Sequence, residues 1–475
     1  MEYFKDEFGI DDQLCQLILE TALSKGGDFA DLFFEHTIES WLALEDGKVN
    51  RSFGNIILGV GVRTVKDDQV GYGFTQEFTR DAMLSAAVTA SSIADGARGK
   101  VQKGFHSPST KNYYPFDESY KITIGTKIPL IKAVNDKCFA LSDSILKVNA
   151  GFYDSIRRIL VVTSDGIKAE DAAPKNYMYT SVVAEKNGRT EQASYNIGGR
   201  RDFSYYSHTT TERLSNEVIR RVLTLFDAVQ PPAGQMPVVL GPGVTGILLH
   251  EAIGHGLEAD FNRKKISTYA TMLGKKIAPQ WVTIVDDGTN PQQLGSINFD
   301  DEGIPSKRTV LVENGILTGY LHDRISAKYY GVEPTGNGRR QNFEYNPQPR
   351  MRNTYMLNGQ STPEDIIKAA GKGIYIEDVS NGEVKIGEGD FAFYVSQGKM
   401  IEDGKLTTPI KDINIMGNGP KMLENIVMVG NDLKLHEGGA GSCGKGGQSV
   451  PVSFGLPTCL VKSMTVGGTV KKGGA

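Results

Sequence analysis

The chain has 475 residues, and its Lys+Arg 52 against Asp+Glu 56 give a formal charge of −4 at pH 7. That balance leaves no basic surplus to neutralise phosphates, so neither nucleic acid nor an anionic membrane surface is expected as a primary partner. Hydrophobic residues at 39% and charged residues at 23% are ordinary for a globular protein rather than a disordered one, and the length predicts two or three domains.

The opening "MEYFKDEFGIDDQ" has neither the basic start nor the apolar core of a signal peptide, and no apolar run approaches membrane-spanning length. The expectation is a cytoplasmic protein with no membrane segment. Residues 11–25 predict a helix with Asp11 or Asp12 as N-cap. "DLFFEHTIESWLALEDGKV" and "NIILGVGVRTVKDDQVGYGF" alternate apolar and polar residues around Asp-Gly and Asp-Asp turns, which predicts antiparallel strands. A helix follows over about 80–94, and another is expected to begin at Pro129, a residue suited to a first helical turn. Strands return around the hairpin dipeptides Asp165-Gly166 and Asn187-Gly188, and residues 212–226 form an amphipathic helix.

The proline- and glycine-bearing stretch at 230–237 divides this first half, residues 1–229, from a second, residues 238–475. Beyond it, "VVLGPGVTGILLHEAIGHGLEA" predicts strand, glycine turn and helix, and the remainder is strongly β apart from a helix started by Thr362-Pro363. The fold class is therefore α+β. Helices on an antiparallel sheet form an N-terminal domain, and a C-terminal domain of mainly antiparallel, barrel-like or curved sheets encloses a metal-binding helix.

Three motifs compete around that helix. Gly241, Gly243 and Gly246 satisfy G-x-G-x-x-G, with Asp260 at the distance of a ribose-binding acid, but no second strand closes the unit before Asp260. "GAGSCGKG" at 439–446 spells most of a phosphate loop, yet Gly446 stands where Ser or Thr is required and no helix follows. The third motif is His250-Glu251-Ala252-Ile253-Gly254-His255, in a chain with 7 histidines. A single histidine is more often a satisfied core or surface residue than a ligand; this pair, with its glutamate, favours a metal site.

Five residues apart on a regular α-helix, two side chains diverge by about 140°, too far to share one ion. The pair therefore predicts a π-bulge, which would return both to one face, and Gly254 and Gly256 look like accommodation of the distorted turn. Glu251 is placed to act as general base on a water; its bland alternative is pairing with Lys264 or Lys265. A third ligand is needed. Glu258 and Asp260 are near in sequence, but Cys443, in a glycine-dense loop, is the stronger candidate, because zinc favours thiolate. Cys15, Cys138 and Cys459 have the neighbours of packing residues, and the four cysteines form no CxxC pair, as suits a reducing compartment. His322, Tyr345, Arg339 and Arg340 are polar residues in suggestive loops, and no substrate-binding residue is assigned.

The runs "HEAIGHGLEAD", "VTIVDDGT", "DDEGIPSKRTVLVENGILTGYL", "GNGRRQNFEYNPQPRMRNTYM" and "VMVGNDLK" resemble the TldD/PmbA family, also labelled modulators of DNA gyrase, and the likeness extends over nearly the whole chain. The two-histidine motif marks it as similar to the TldD-type member. The resemblance implies a cytoplasmic zinc metalloprotease acting on unfolded or extended peptides, with His250, His255 and Cys443 holding one Zn2+ and Glu251 as base. It also implies a homodimer, or a heterodimer with a motif-lacking paralogue, and an enclosed active site. The alternative function is a non-catalytic zinc- or peptide-binding subunit of a protease complex.

Overall fold

The computed structural model describes residues 2–468. Six antiparallel strands build the first sheet: β1 (Phe29–Glu45), β2 (Lys48–Lys66), β3 (Gln69–Thr75), β4 (Ile145–Thr163), β5 (Lys168–Lys186) and β6 (Arg189–Gly199), ordered β3-β2-β1-β4-β5-β6. Four of them run 17 to 19 residues, about 60 Å at ~3.4 Å per residue. The turns between them take positive φ at Asp46-Gly47 and Asn187-Gly188, the backbone that Asp-Gly and Asn-Gly dipeptides adopt most readily in two-residue hairpins.

Helices Asp12–Ala22 and Arg80–Ser91 pack on one end of this sheet around Leu32, Phe34, Val60 and Val62. Helices Ile124–Leu141 and His208–Leu225 pack on the other around Val148, Phe152, Met178 and Val182. Asp11 caps the helix Asp12–Ala22 by accepting from the backbone N–H of Leu14 at 2.8 Å. The helix expected to begin at Pro129 begins instead at Ile124, with the proline inside it. Pro129 lies early enough in the helix that a single i→i−4 bond, to the Gly125 carbonyl, is forfeited. Short helices at Tyr3–Phe8, Arg324–Tyr330 and Gly419–Glu424 are too brief to carry a periodic signal.

In the second half, strands Gly373–Lys385, Gly234–Leu240, Cys459–Val466, Ile413–Asn418 and Asp390–Glu402 hydrogen-bond in that order, and the pairing of the first with the last closes a five-stranded barrel. The closure leaves these five strands no open edge within the ring. A second sheet holds Ile284–Asp287, Asn353–Met356 and Ser453–Leu456 side by side. Most pairs are antiparallel; Ile374 alongside Val238 and Asn353 alongside Ser453 are parallel.

The segment 247–257 runs through the largest hydrophobic cluster, contributing Leu248, Leu249, Ala252, Ile253 and Leu257. The two halves meet across a small apolar patch of Phe33, Val161, Phe299 and Phe343 ringed by buried ion pairs. Arg63 donates to Asp31 at 2.6 Å and Glu302 at 2.8 Å, and Arg340 reaches Asp31 at 3.2 Å. Among the described residues, no helix is long and apolar enough to cross a membrane.

Candidate metal centre

After a short α-helical turn at Ile247–Leu249, residues His250–Gly254 adopt a π-helix and His255–Leu257 a 3-10 turn. The widened turn brings residues 250 and 255 to one side, and their imidazole centroids stand 5.1 Å apart. The two glycines serve a different purpose from the one their positions suggest. Gly254 has ordinary helical φ −56 and ψ −51, so the backbone needs no glycine there. A Cβ at Gly254 would collide with Sδ of Met351, and one at Gly256 would lie 2.7 Å from the Tyr269 ring. Close packing by neighbours, not torsional freedom, excludes side chains at both.

Cys443 arrives from a two-stranded hairpin, Ser442–Lys445 with Gln448–Pro451, turned by Gly446 and Gly447 at positive φ. This is the stretch that mimics a phosphate loop. Here it is a β-turn, and its lysine, Lys445, points at carboxylates: 3.0 Å from Glu258 and 2.7 Å from Asp260. The other glycine motif is likewise structural, since a Cβ at Gly246 would meet the Gly455 backbone at 2.6 Å.

The hairpin delivers Sγ of Cys443 to 3.3 Å from Nε2 of His255. One ligand atom from each of His250, His255 and Cys443 lies within 4.8 Å of the others, and all three residues are buried. Tetrahedral zinc ligands at about 2.0–2.3 Å from the ion sit about 3.5 Å apart, so a contraction of little more than ~1 Å at the widest gap would seat one ion. Burial by itself would push the Cys443 thiol up; the facing His250 and His255 outweigh it and hold the thiol well below its ordinary value. A thiol inclined to ionise between two imidazoles, with Nδ1 of His250 buried and without a hydrogen-bond partner among the described residues, suits a divalent cation.

Behind His255, Nδ1 lies 3.0 Å from Oε2 of Glu258. Glu258 is wholly buried. Burial would raise its carboxyl, but Lys445 and then His255 hold it down to about 2. A carboxylate on Nδ1 fixes the tautomer that presents Nε2 forward. Glu258, weighed from sequence as a ligand, therefore sits behind His255 and outside the donor cluster, and Asp260 is engaged by Lys445. Glu251 turns to the front: its Oε2 is 3.8 Å from Nε2 of His255, and its side chain keeps 18% exposure. Its ion pair is with this histidine rather than Lys264 or Lys265. The other cysteines are packing residues, with burial pushing Cys15 and Cys459 up to about 12 and Cys138 to about 11.

A π-turned helix packed against a closed barrel, with two imidazoles and a thiol converging, is an arrangement that could hold a single divalent metal ion. Sequence comparisons then supply the family. Three models, described as PmbA/TldA metallopeptidase domain 1, central domain and C-terminal domain, match residues 30–94, 117–226 and 233–468. The chain belongs to the PmbA/TldD metallopeptidase family. It is 37% identical over 473 residues to a metalloprotease TldD homolog of Buchnera aphidicola, covering 97% of each chain. A Haemophilus influenzae protein of the same description is 38% identical over 93% of each chain, and a Saccharolobus solfataricus relative described as a zinc metalloprotease TldD homolog is 27% identical over 95% of this chain and 99% of its own. The fold is shared with a Thermotoga maritima protein described as a modulator of DNA gyrase, at TM-score 0.78 and 22% identity over 97% of this chain and 100% of that one. It is shared also with TldE from Thermococcus kodakarensis, at TM-score 0.74 and 18% identity over 96% and 99%.

Proposed function

We propose that this chain is a zinc-dependent peptidase that hydrolyses unfolded or extended peptides, with His250, His255 and Cys443 holding one Zn2+ and Glu251 as general base. The observation that carries the reading is the convergence of three buried donor atoms within 4.8 Å, with Glu251 on the same side as Nε2 of His255. A zinc ion held there supplies Lewis acidity toward a water and a peptide carbonyl. Glu251 accepts a proton from the attacking water and returns it to the departing amine, and Glu258 keeps His255 oriented while Lys445 balances its charge.

Burial of the donor atoms favours an extended substrate; the large cavity nearby is bordered by none of His250, Glu251, His255 or Cys443 and comes near them at Phe454. That cavity, of about 1570 Å³, lies between β6 and the barrel, bordered by Tyr195, Asn196, Gly243 and Phe454, and the Phe454 ring stands 6.3 Å from that of His250. With the histidines and the thiol buried, a folded protein could not bring its backbone to them, whereas a single strand could. Under this reading the protein works in the cytoplasm as a homodimer or with a motif-lacking paralogue; the likeness to TldE is compatible with the second.

The competing reading is a non-catalytic subunit in which the metal only ties the helix to the Cys443 hairpin. Glu251 favours the enzyme, since a purely structural site would not need a carboxylate at the front. In Glu251→Gln, zinc content should stay at about one per chain while cleavage of a denatured protein falls by about 10²–10⁴-fold. Cleavage at the wild-type rate would leave the structural reading standing.

A further inference from the structure

A second cavity, of about 370 Å³, lies where the β1–β5 face meets the back of the Cys443 hairpin. Its size suits a small ligand. Five cationic side chains border it, and two are already engaged: Arg157 pairs with Glu35 at 3.2 Å and Asp301 at 3.0 Å, and Arg340 with Asp31 at 3.2 Å.

The other three, Lys175, Arg200 and Arg339, have no carboxylate within ion-pair distance among the described residues. Arg339 donates to the carbonyls of Met351 at 2.6 Å and Pro451 at 2.7 Å. Arg200 donates to the Pro174 carbonyl at 3.1 Å, and its Nε, buried, has no partner. Lys175 stands 5.3 Å over the Tyr153 ring. The two remaining carboxylates at the cavity are otherwise occupied: Glu39 accepts from the Tyr153 hydroxyl at 2.9 Å, and Asp171 from the Tyr114 hydroxyl and from Asn298 at 3.0 Å.

Arg200 and Arg339 are only 5% and 4% exposed. Buried cations are normally paired, and two buried arginines with a half-buried lysine facing one void call for an anion. Burial pushes Lys175 and Arg200 down and Arg339 down to about 9, with Arg200 repelling both Lys175 and Arg339; the attraction of Glu39, Asp171 and Asp301 opposes these shifts without reversing them. The remaining wall is mixed: Ile57, Ile159, Phe299 and Val450 give it an apolar side, beside the hydroxyls and amides of Thr37, Ser155, Gln341, Asn342, Ser442 and Ser449. A bare inorganic anion would leave the apolar side uncovered, whereas a carboxylate attached to an aliphatic body satisfies both the cations and that side.

We propose that this cavity is a binding site for a small organic carboxylate, its charge held by Lys175, Arg200 and Arg339 and its apolar part by Ile57, Ile159, Phe299 and Val450. The site is separate from the metal centre and does not depend on the peptidase reading. The carboxylate can come from a free acid or from the C-terminal residue of a peptide.

Calorimetric titration of the full chain at constant ionic strength tests this with N-acetyl-leucine, N-acetyl-leucinamide and inorganic phosphate. The acid should bind saturably and the amide at least about tenfold more weakly, the loss of one charge-assisted contact. Lys175→Gln and Arg200→Gln should each weaken the acid about tenfold or more, with folding verified by circular dichroism; Lys175 is only half-buried, so its variant remains informative if the other misfolds. Displacement of N-acetyl-leucine by a leucine-ended pentapeptide, on Glu251→Gln protein so that the peptide stays whole, assigns the site to a peptide end; failure to displace assigns it to a free acid. No binding of the acid, equal binding of the amide, tighter binding of phosphate, or undiminished affinity in both variants overturns the proposal.

Discussion

Sγ of Cys443 lies 3.3 Å from Nε2 of His255 although 188 residues separate them in the chain. Only the hairpin crossing behind the π-turned helix makes that contact, so the thiol's role is separable from that of the equally buried Cys459, which sits in a barrel strand. Under the zinc reading, Cys443→Ala should drop bound metal, measured by mass spectrometry of the purified protein, from about one per chain to a small fraction and abolish peptide cleavage. Cys459→Ala should keep its metal and lose only packing, about 1–2 kcal/mol. Equal metal content in both variants would remove Cys443 from the ligand set.

Glu258 gives a graded test, because it touches His255 but points away from the donor cluster. Replacing it with Gln removes the charge that Lys445 and His255 share while keeping the shape. Zinc affinity, measured by competition with a chromophoric chelator, should weaken about 10–100-fold. Thermal stability should fall as well, because Lys445, 5% exposed, would keep only Asp260 as an ion-pair partner at 2.7 Å. A variant with unchanged affinity would show that His255 needs no orienting carboxylate.

The parts of this site visible in the sequence are those with a local geometric consequence. A five-residue histidine spacing cannot share an ion on a 3.6-residue helix, so the π-turn over His250–Gly254 follows from the residues themselves. The Asp-Gly and Asn-Gly turns likewise announce the long hairpins of the first sheet. Invisible were the partners that tertiary packing alone brings together: Glu258 with Lys445, Arg63 with Glu302, and the three unpaired cations beneath the Cys443 hairpin. No spacing rule connects residues 187 or 239 positions apart. A barrel-like C-terminal domain is expected from its strand-rich sequence, but which strands close the ring is hidden for the same reason, since it depends on the pairing of Gly373–Lys385 with two strands at once.

The reason for glycine beside the second histidine can be tested directly. On backbone grounds alone Gly254→Ala would cost nothing at its φ of −56 and would improve helix propensity by about 1 kcal/mol. Because a Cβ there collides with Met351, which is fully buried, the substitution should instead destabilise by about 1–3 kcal/mol in chemical denaturation. Adding Met351→Ala to Gly254→Ala should recover part of that loss relative to the sum of the two single changes. Strict additivity of the two would show that they do not collide.

His322 supplies a pH test outside the metal centre. It is 6% exposed, and burial, followed by repulsion from Lys307, pushes its imidazole from 6.5 down to about 4. Above pH 6.5 the ring is neutral whether the chain is folded or not, and it contributes no pH dependence. As pH falls from 6.5 towards 4, the unfolded chain takes up a proton that the folded chain refuses, so stability drops by up to ~1.4 kcal/mol per unit. The buried carboxyls of Asp300 and Asp323, raised to about 7 and about 6, act with the opposite sign, losing stability as pH rises through that range. The readout is therefore the difference between wild type and His322→Phe. Between pH 6.5 and pH 4.5 the variant should lose roughly 2 kcal/mol less unfolding free energy than the wild type. Parallel pH profiles would show that His322 is protonated equally in both states.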